Sequence, residues 1–115
     1  MSQKNKLLEM PPFAVEATIQ RLGNNLRVAR LRRNLTIQQV AEKMGTGLRS
    51  ISDAEKGKLT TSIGTYIGLL WVYDLLGQLN DVADPGKDDE GQNLALSRER
   101  ERARHRNEED LDNDF

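Results

Sequence analysis

Two neighbouring residues, Leu48 and Arg49, carry side chains whose chemistry suits the edges of DNA base pairs. The guanidinium fork of Arg49 can donate two hydrogen bonds to O6 and N7 of guanine, which is typically worth about 1–3 kcal/mol of discrimination between bases. Leu48 is an unusual residue for the exposed start of a helix, but its side chain suits contact with the methyl group of thymine. This chemistry requires a short helix that is held against a duplex.

The residues around this pair predict two short helices joined by a glycine-containing turn. Thr36 is the expected N-cap of the first helix, and Gln39 three residues later completes a capping box. Gly45 ends that helix; a second runs from about Leu48 to Glu55, and Gly57 ends it. Two helices in this order form a helix-turn-helix, which lays its second helix in the major groove of DNA.

Basic residues are concentrated in the region of these helices, although the whole chain has a net charge of −1. Residues 18–60 hold nine lysines and arginines against three acids, a local charge of +6. Residues 87–115 hold six basic residues against ten acids, a local charge of −4. This asymmetry is typical of a nucleic-acid binder with a separate interaction tail.

The composition offers little material for enzyme chemistry. The chain has no cysteine, and its one histidine, His105, lies in a highly charged segment. We therefore expect no enzyme activity, no cofactor and no metal site. No stretch approaches the roughly 18 apolar residues of a membrane span, and no signal peptide is recognised. A cytoplasmic protein without a membrane partner is expected.

Helical spacing of apolar residues predicts three further helices. The first covers about residues 14–33, and another covers about 63–73 with Ser62 as its N-cap. A last helix covers about 75–83 and ends before Pro85. The predicted fold is all-α, with five helices in one DNA-binding and dimerisation domain over residues 14–86.

Both ends of the chain are predicted to lie outside this domain. Residues 1–13 are interpreted as a flexible arm, and residues 87–115 as a charged tail. Within the tail we expect a loop over 87–94, then a solvated, frayed helix or disorder over 95–109. Two apolar residues in its acidic end are candidate anchors for a protein partner, namely Leu111 and Phe115.

The stretch from residue 63 to residue 83 is apolar on nearly every helical face. A helix of that kind must be buried all round, and a domain this small cannot cover it alone. A second subunit is the simplest cover, which predicts a homodimer. The candidate interface residues are Tyr66, Leu69, Leu70, Trp71, Tyr73, Leu76 and Leu79.

The chain resembles a known family between Leu22 and Leu76. The matching positions are Leu35-Thr36, Val40-Ala41, Met44-Gly45, Ile51-Ser52, Glu55-Lys56-Gly57 and Ser62-Ile63. They stand at the spacing of the lambda-repressor-like, or xenobiotic-response-element (XRE), family. A narrower likeness to HipB-like antitoxins, the regulators paired with HipA-type kinases, is carried by Ser62-Ile63-Gly64-Thr65-Tyr66, Leu69-Leu70-Trp71, Leu79, Ala83-Asp84-Pro85, Asp88 and Gly91.

The resemblance implies which side chains read bases. The matching positions are Gly47, Leu48, Arg49 and Asp53, with Ser50 and Ser52 close by. Asp53 departs from the polar or basic residue that is usual there. It is expected either to accept a hydrogen bond from cytosine N4 or to pair with Arg49 one turn back and fix its rotamer.

Other family positions imply contacts that do not read sequence. Arg30 and Glu55 match a pair that forms an internal salt bridge in family members. Ile37 stands where many members have a glutamine that contacts phosphate, and the adjacent Gln38 is a substitute candidate. Three lysines of the basic region, Lys43, Lys56 and Lys58, are further candidate phosphate partners, and an ordinary surface role is the alternative for them.

These observations predict a homodimeric repressor that binds a palindromic DNA operator. The HipB-like resemblance further implies an antitoxin that represses its own operon and binds a HipA-like kinase toxin or a small co-antitoxin. A free-standing repressor, such as a phage or restriction-modification controller, is the alternative. A protein-interaction adaptor without DNA binding also stays open, because Ile37 and Asp53 depart from the family pattern.

Overall fold

A computed structural model describes residues 5–113, in which all regular structure is helical and no strand occurs. The elements in chain order are α1 (Lys6–Glu9), α2 (Phe13–Arg32), α3 (Ile37–Met44), α4 (Leu48–Glu55), α5 (Ile63–Val72), two 3₁₀ helices (Leu76–Asp81 and Pro85–Lys87) and α6 (Asp89–Asn113). The predicted all-α class is confirmed. The chain divides between Gly77 and Gln78 into two compact units, which are described separately.

Local cap chemistry sets the bounds of α3. The backbone amide of Gln39 donates to Oγ1 of Thr36 at 3.1 Å, and the Thr36 amide donates to Oε1 of Gln39 at 2.8 Å. This is the predicted capping box, which satisfies two donors that the helix itself leaves free. At the other end, Gly45 adopts the left-handed conformation with φ +66°. The predicted bounds of the turn and of α4 also agree with the structure.

Close backbone contact fixes how α2 crosses α4. A Cβ added to Gly23 of α2 would lie 2.5 Å from the carbonyl oxygen of Ala54 in α4. A Cβ on Gly57, just after α4, would lie 2.5 Å from Cα of Gln20, and Gly57 also has a left-handed φ of +70°. Both glycines therefore permit a helix approach that any side chain would block.

The core of the first unit is built from one side of each of α2 to α5. Its buried apolar members are Leu26, Ala29, Val40, Ala41, Ile51, Ala54, Tyr66, Leu69, Leu70 and Tyr73. Burial raises the pKa of the Tyr73 hydroxyl to about 12. The guanidinium of Arg33 lies 5.5 Å from the Tyr73 ring centroid and donates to its carbonyl oxygen at 2.9 Å. Tyr73 is thus held inside the fold of its own chain.

A buried ion pair joins the ends of α2 and α4. Nε of Arg30 lies 2.7 Å from Oε2 of Glu55, and Nη2 lies 3.0 Å from Oε1. The third donor, Nη1, reaches the carbonyl oxygen of Leu35 at 2.9 Å. The two side chains are only 11% and 6% exposed, respectively. The hydrogen bond to Glu55 raises the pKa of Arg30 above its ordinary value, although burial opposes this.

The structure corrects two expectations about the ends of the first unit. The N-terminal arm contains the short helix α1, because the Asn5 side chain accepts hydrogen bonds from the amides of Leu7 and Leu8. The predicted helix over 75–83 is a 3₁₀ helix over Leu76–Asp81. Left-handed residues at Asp74 and Ala83 bracket that segment and interrupt helical backbone geometry on both sides of it.

The predicted loop over residues 87–94 is also wrong, because α6 begins at Asp89. The Asp88 side chain accepts from the amide of Gly91 at 3.0 Å, and Nε2 of Gln92 donates to the carbonyl oxygen of Pro85 at 2.9 Å. These contacts place the start of α6 at Asp89, before the predicted start at about residue 95. Of the two alternatives expected for residues 95–109, an exposed helix and disorder, the structure has the helix, which lies within α6. Phe115 and the side chain of Leu111 lie outside the described part of the chain.

None of the helices within residues 5–113 is long and apolar enough to cross a membrane.

Removal of one partner of the buried ion pair should destabilise the fold. Glu55→Ala should lower the free energy of unfolding by about 3–5 kcal/mol, because it leaves the Arg30 guanidinium buried without its anion. Glu55→Gln should cost less, since it keeps an acceptor and the side-chain volume. Urea titration followed by circular dichroism measures both.

The matched control is Glu42→Ala, which removes an exposed glutamate from α3 and should change stability by less than about 0.5 kcal/mol. Equal midpoints for Glu55→Ala and Glu42→Ala would show that the buried pair contributes nothing.

Candidate nucleic-acid interface

The turn between α3 and α4 presents the start of α4 to solvent. The amides of Gly45 and Thr46 donate to carbonyl oxygens of Glu42 and Ala41, which closes the end of α3. Gly47 is the N-cap of α4, and no side chain caps the first amides of that helix. A Cβ at Gly47 would meet nothing within 4 Å. The start of α4 is therefore an open, unobstructed helix end.

The two faces of α4 have opposite environments. Ile51 and Ala54 are fully buried against the core. On the outer face, the side chain of Arg49 is 90% exposed and Leu48 is 53% exposed. Three more predicted base-reading residues are half-buried, namely Ser50, Ser52 and Asp53. The core contact fixes the helix, so the first turn of α4 is both rigid and accessible.

Asp53 lies between two cations. Its Oδ1 is 3.0 Å from Nζ of Lys58, and its Oδ2 is 3.9 Å from Nε of Arg49. The shorter contact shows that Lys58 is its main partner in the free protein. The Arg49 pairing that the sequence left open is present only at the longer distance. Lys58 is itself anchored, because the Tyr66 hydroxyl donates to its carbonyl oxygen at 2.7 Å.

An open groove of about 850 Å³ gathers most of the predicted DNA-contacting residues. It is lined by Arg30, Leu31, Leu35, Thr36, Ile37, Gln38, Leu48, Arg49, Ser52, Asp53, Lys56 and Lys58. Basic residues outnumber the single acid, Asp53, and Arg30 is already paired with Glu55. The groove thus combines an exposed cationic side with an apolar part, an arrangement that suits a polyanion with accessible base edges.

The predicted phosphate partners do not all lie in this groove. Gln38, Lys56 and Lys58 line it, and Gln38 also donates to Oε1 of Glu42 at 3.4 Å. Lys43 lines a separate cavity of about 370 Å³ together with Trp71 and Val72. The structure therefore places Lys43 apart from the other three.

Sequence reasoning missed part of the groove wall. Leu31 and Leu35 come from the end of α2 and the following loop, and neither was a candidate. Leu31 is exposed and lies outside the helically spaced apolar positions of α2, which are Ile19, Leu22, Leu26 and Ala29. An apolar residue outside those positions is a signal in the sequence for a surface role. Ile37 had been noted only as a departure from the family pattern.

The predicted dimer interface needs correction. Tyr66, Leu69, Leu70 and Tyr73 are buried in the core of their own chain and offer no surface to a partner. Although α5 is apolar on nearly every face, α3 and α4 pack against it and cover one side within the same chain. Trp71 and Leu76 are exposed, and Leu79 is half-buried.

An apolar stripe remains uncovered on the outer side of α5. Ile63, Ile67 and Trp71 recur every four residues, so their side chains follow one side of the helix, and all three are exposed.

In the part of the chain that the structure describes, no group of three or more histidines, cysteines or acids is arranged to hold a metal ion.

Comparison with known proteins places this geometry in a family. A family model described as helix-turn-helix matches residues 26–70, which run from the middle of α2 through α5. An uncharacterised HTH-type transcriptional regulator, y4mF of Sinorhizobium fredii (strain NBRC 101917 / NGR234), is 38% identical over 66 residues. That match covers 57% of this chain and 83% of the relative. No solved structure matches. The chain therefore belongs to the XRE-type helix-turn-helix family of DNA-binding transcription regulators.

Proposed function

We propose that this chain is a sequence-specific repressor that inserts the start of α4 into the major groove of operator DNA. The observation that carries the proposal is the position of Arg49. Its side chain is 90% exposed on the first turn of a helix whose opposite face is buried, and it lines a groove rich in cations. An accessible guanidinium fork on a helix that the core holds in place suits bidentate contact with guanine.

The other α4 residues have complementary roles in this proposal. Ser50, Ser52 and Asp53 supply hydrogen-bonding groups beside Arg49, and Gly47 allows close approach of the backbone. The ammonium of Lys58 neutralises the Asp53 carboxylate, which reduces its repulsion of phosphates. Gln38 and Lys56 are the phosphate contacts that the groove geometry favours, since both are exposed at its edge.

Dimer formation is the second part of the proposal, through the Ile63–Ile67–Trp71 stripe with Leu76 of the same unit as a further candidate. Leu79, which belongs to the second unit, is a separate candidate. An exposed apolar stripe is costly in water unless a partner covers it. A second copy is the simplest cover because the stripe can pack against itself across a two-fold axis. Two α4 helices about 34 Å apart would then read a palindrome in successive major grooves.

The third part is an antitoxin role, in which the dimer represses its own operon and binds a HipA-like kinase or a small co-antitoxin in the cytoplasm. The HipB-like pattern of α5 and the following segment supports it. The charged helix α6 supports a protein partner as well, since it is exposed over its described side chains. A free-standing repressor would share the DNA-binding face but have no partner encoded beside it.

Arg49→Ala should weaken binding to the operator by about 1–3 kcal/mol and affect a scrambled duplex of equal composition much less, since the lost contact reads base edges. Fluorescence anisotropy with the DNA upstream of the gene measures both affinities. Arg27→Ala, which removes an exposed arginine from α2 outside the groove, is the matched control.

Equal losses on both duplexes would show that Arg49 contacts only phosphate. Affinity for DNA should also fall as salt rises, because phosphate contacts release bound counterions. The absence of salt-dependent binding to any duplex would favour the adaptor alternative.

Trp71→Glu should convert the dimer to a monomer, because burial of a carboxylate in an apolar interface is costly when no hydrogen-bond donor or cation pairs with it. Light scattering at micromolar concentration measures the change in mass. Phe13→Glu is the control: Phe13 is another exposed aromatic residue, at 85%, and lies away from the stripe. A wild-type chain that is monomeric under these conditions would exclude the proposed dimer.

Deletion of residues 108–115 should weaken binding to the kinase or co-antitoxin and leave operator affinity unchanged or slightly higher. The deleted segment contains five acids and no basic residue, so phosphates repel it. Co-purification with the products of adjacent genes, followed by calorimetry, measures the first effect. A partner complex as tight as that of the full chain would show that these residues do not dock.

A further inference from the structure

The middle of α6 is rich in arginine, although the segments on either side of it are acidic. Residues 98–106 contain five arginines and two glutamates, a charge of +3 when His105 is neutral. Residues 107–115 contain five acids and no basic residue, and residues 87–97 contain three acids and one lysine. The positive charge of this unit is therefore concentrated in about two and a half turns of one helix.

The helical conformation places three of these arginines in a row. Every second residue from Arg98 to Arg106 is an arginine, and a helix with 3.6 residues per turn divides such an alternation between two sides. One side carries Arg98, Arg102 and Arg106, which are four residues apart and are called the arginine row below. The other side carries Arg100 and Arg104. At a rise of about 1.5 Å per residue, the arginine row is about 12 Å long.

The arginine row is exposed and lacks neighbouring carboxylates. Every side chain from residue 92 to residue 109 is exposed. Among the side chains that the structure describes, the salt bridge within α6 joins His105 to Glu109 at 3.1 Å, and none involves the arginine row. Like charges four residues apart repel each other and destabilise a helix. An anion that lies along the row would remove this repulsion.

The chemistry and length of the arginine row suit the phosphates of duplex DNA. A guanidinium can donate two parallel hydrogen bonds to one phosphate, and arginine keeps its charge at physiological pH. Successive phosphates of one DNA strand rise by about 3.4 Å along the duplex, so a row of about 12 Å can meet about two or three of them. The helix-turn-helix in the same chain would keep α6 at a high effective concentration near DNA. That linkage favours DNA over an acidic protein as the partner.

We propose that the arginine row of α6 is a second DNA-binding surface, which contacts the phosphate backbone and does not read bases. The inference goes beyond the proposed function, because phosphate contacts require no operator sequence. The row adds affinity on every duplex, whereas Arg49 adds affinity mainly on the operator. The acids of residues 107–115 limit the added affinity, because phosphates repel them.

Two double variants with the same loss of charge test the arginine row. Arg98→Gln/Arg102→Gln removes two members of the row. The matched control, Arg100→Gln/Arg104→Gln, removes two arginines from the other side of α6. Each variant removes one pair of like charges four residues apart, and glutamine forms helices about as readily as arginine. Circular dichroism should therefore show the same helix content in both variants and the wild type.

Fluorescence anisotropy on a scrambled duplex, between about 50 and 200 mM salt, measures the contribution of the row. Arg98→Gln/Arg102→Gln should bind about tenfold more weakly than the wild type at about 100 mM salt. Its plot of log affinity against log salt should be shallower by about 1.8, since each lost phosphate contact removes about 0.9 from the slope. Affinity for the operator should fall by the same factor. The control variant should stay within about threefold of the wild type, because salt screens charges that do not touch the DNA.

Deletion of residues 108–115 provides an independent arm of the test. Without these acids, the affinity of the otherwise wild-type chain for the scrambled duplex should rise. The same deletion in Arg98→Gln/Arg102→Gln should give a smaller rise, because α6 then no longer lies against the phosphates. A rise of equal size in both backgrounds would contradict the inference, because the acids and the row would then act independently.

Other outcomes would also overturn the inference. Equal losses for the two double variants would show that only the charge of α6 matters, and no loss in either would show that α6 does not touch DNA. If Arg98→Gln/Arg102→Gln binds DNA normally but loses the partner encoded by an adjacent gene, the row binds an acidic protein surface instead.

Failure of the inference and failure of the proposed function give different results. If the row variant weakens both duplexes but the wild type prefers neither, the second surface stands and the sequence-specific repressor function fails. If the wild type prefers the operator and the row variant binds both duplexes normally, the repressor function stands without the second surface.

Discussion

The Arg30–Glu55 ion pair holds together the segments that carry the proposed DNA-contacting residues. Arg30 uses three nitrogen donors at once, two on the Glu55 carboxylate and one on the Leu35 carbonyl oxygen. It therefore ties together the end of α2, the loop before α3 and the end of α4. Such a buried pair contributes little net stability compared with apolar residues of equal volume, but loss of one partner is costly. Its role here is to fix the orientation of the helix that carries Arg49.

The orientation of α4 explains why one of its faces packs in the core and the other is exposed to solvent. Ile51 and Ala54 anchor the helix in the core, and the close crossing at Gly23 limits its movement against α2. The outer face can then present side chains to a duplex without paying the entropy of ordering a loop. The Lys58 contact with Asp53 keeps a carboxylate on this face electrostatically tolerable beside a polyanion.

Helix α5 serves two sides of the molecule. Tyr66, Leu69 and Leu70 complete the core that supports α4, while Ile63, Ile67 and Trp71 face outward. A dimer through this outer stripe would couple the spacing of the two recognition helices directly to the core of each subunit. The helix that supports α4 in each subunit is therefore also the helix proposed to set the two-fold symmetry of the operator.

The bounds of α3, α4 and the turn between them follow from local sequence, because Thr36, Gln39 and Gly45 act through hydrogen bonds and backbone preferences within a few residues of themselves. The sequence also indicates Arg49 and Leu48 as candidate base-reading residues, because the hydrogen-bonding and apolar chemistry of their side chains follows from residue type alone. Which apolar residues of α5 belong to the core depends on packing against α3 and α4, since a stretch that is apolar on nearly every face has no periodicity to distinguish its two sides. The groove also depends on tertiary packing, because Leu31, Leu35 and Ile37 line it together with residues of α4 only when the ion pair and the core bring these helices together.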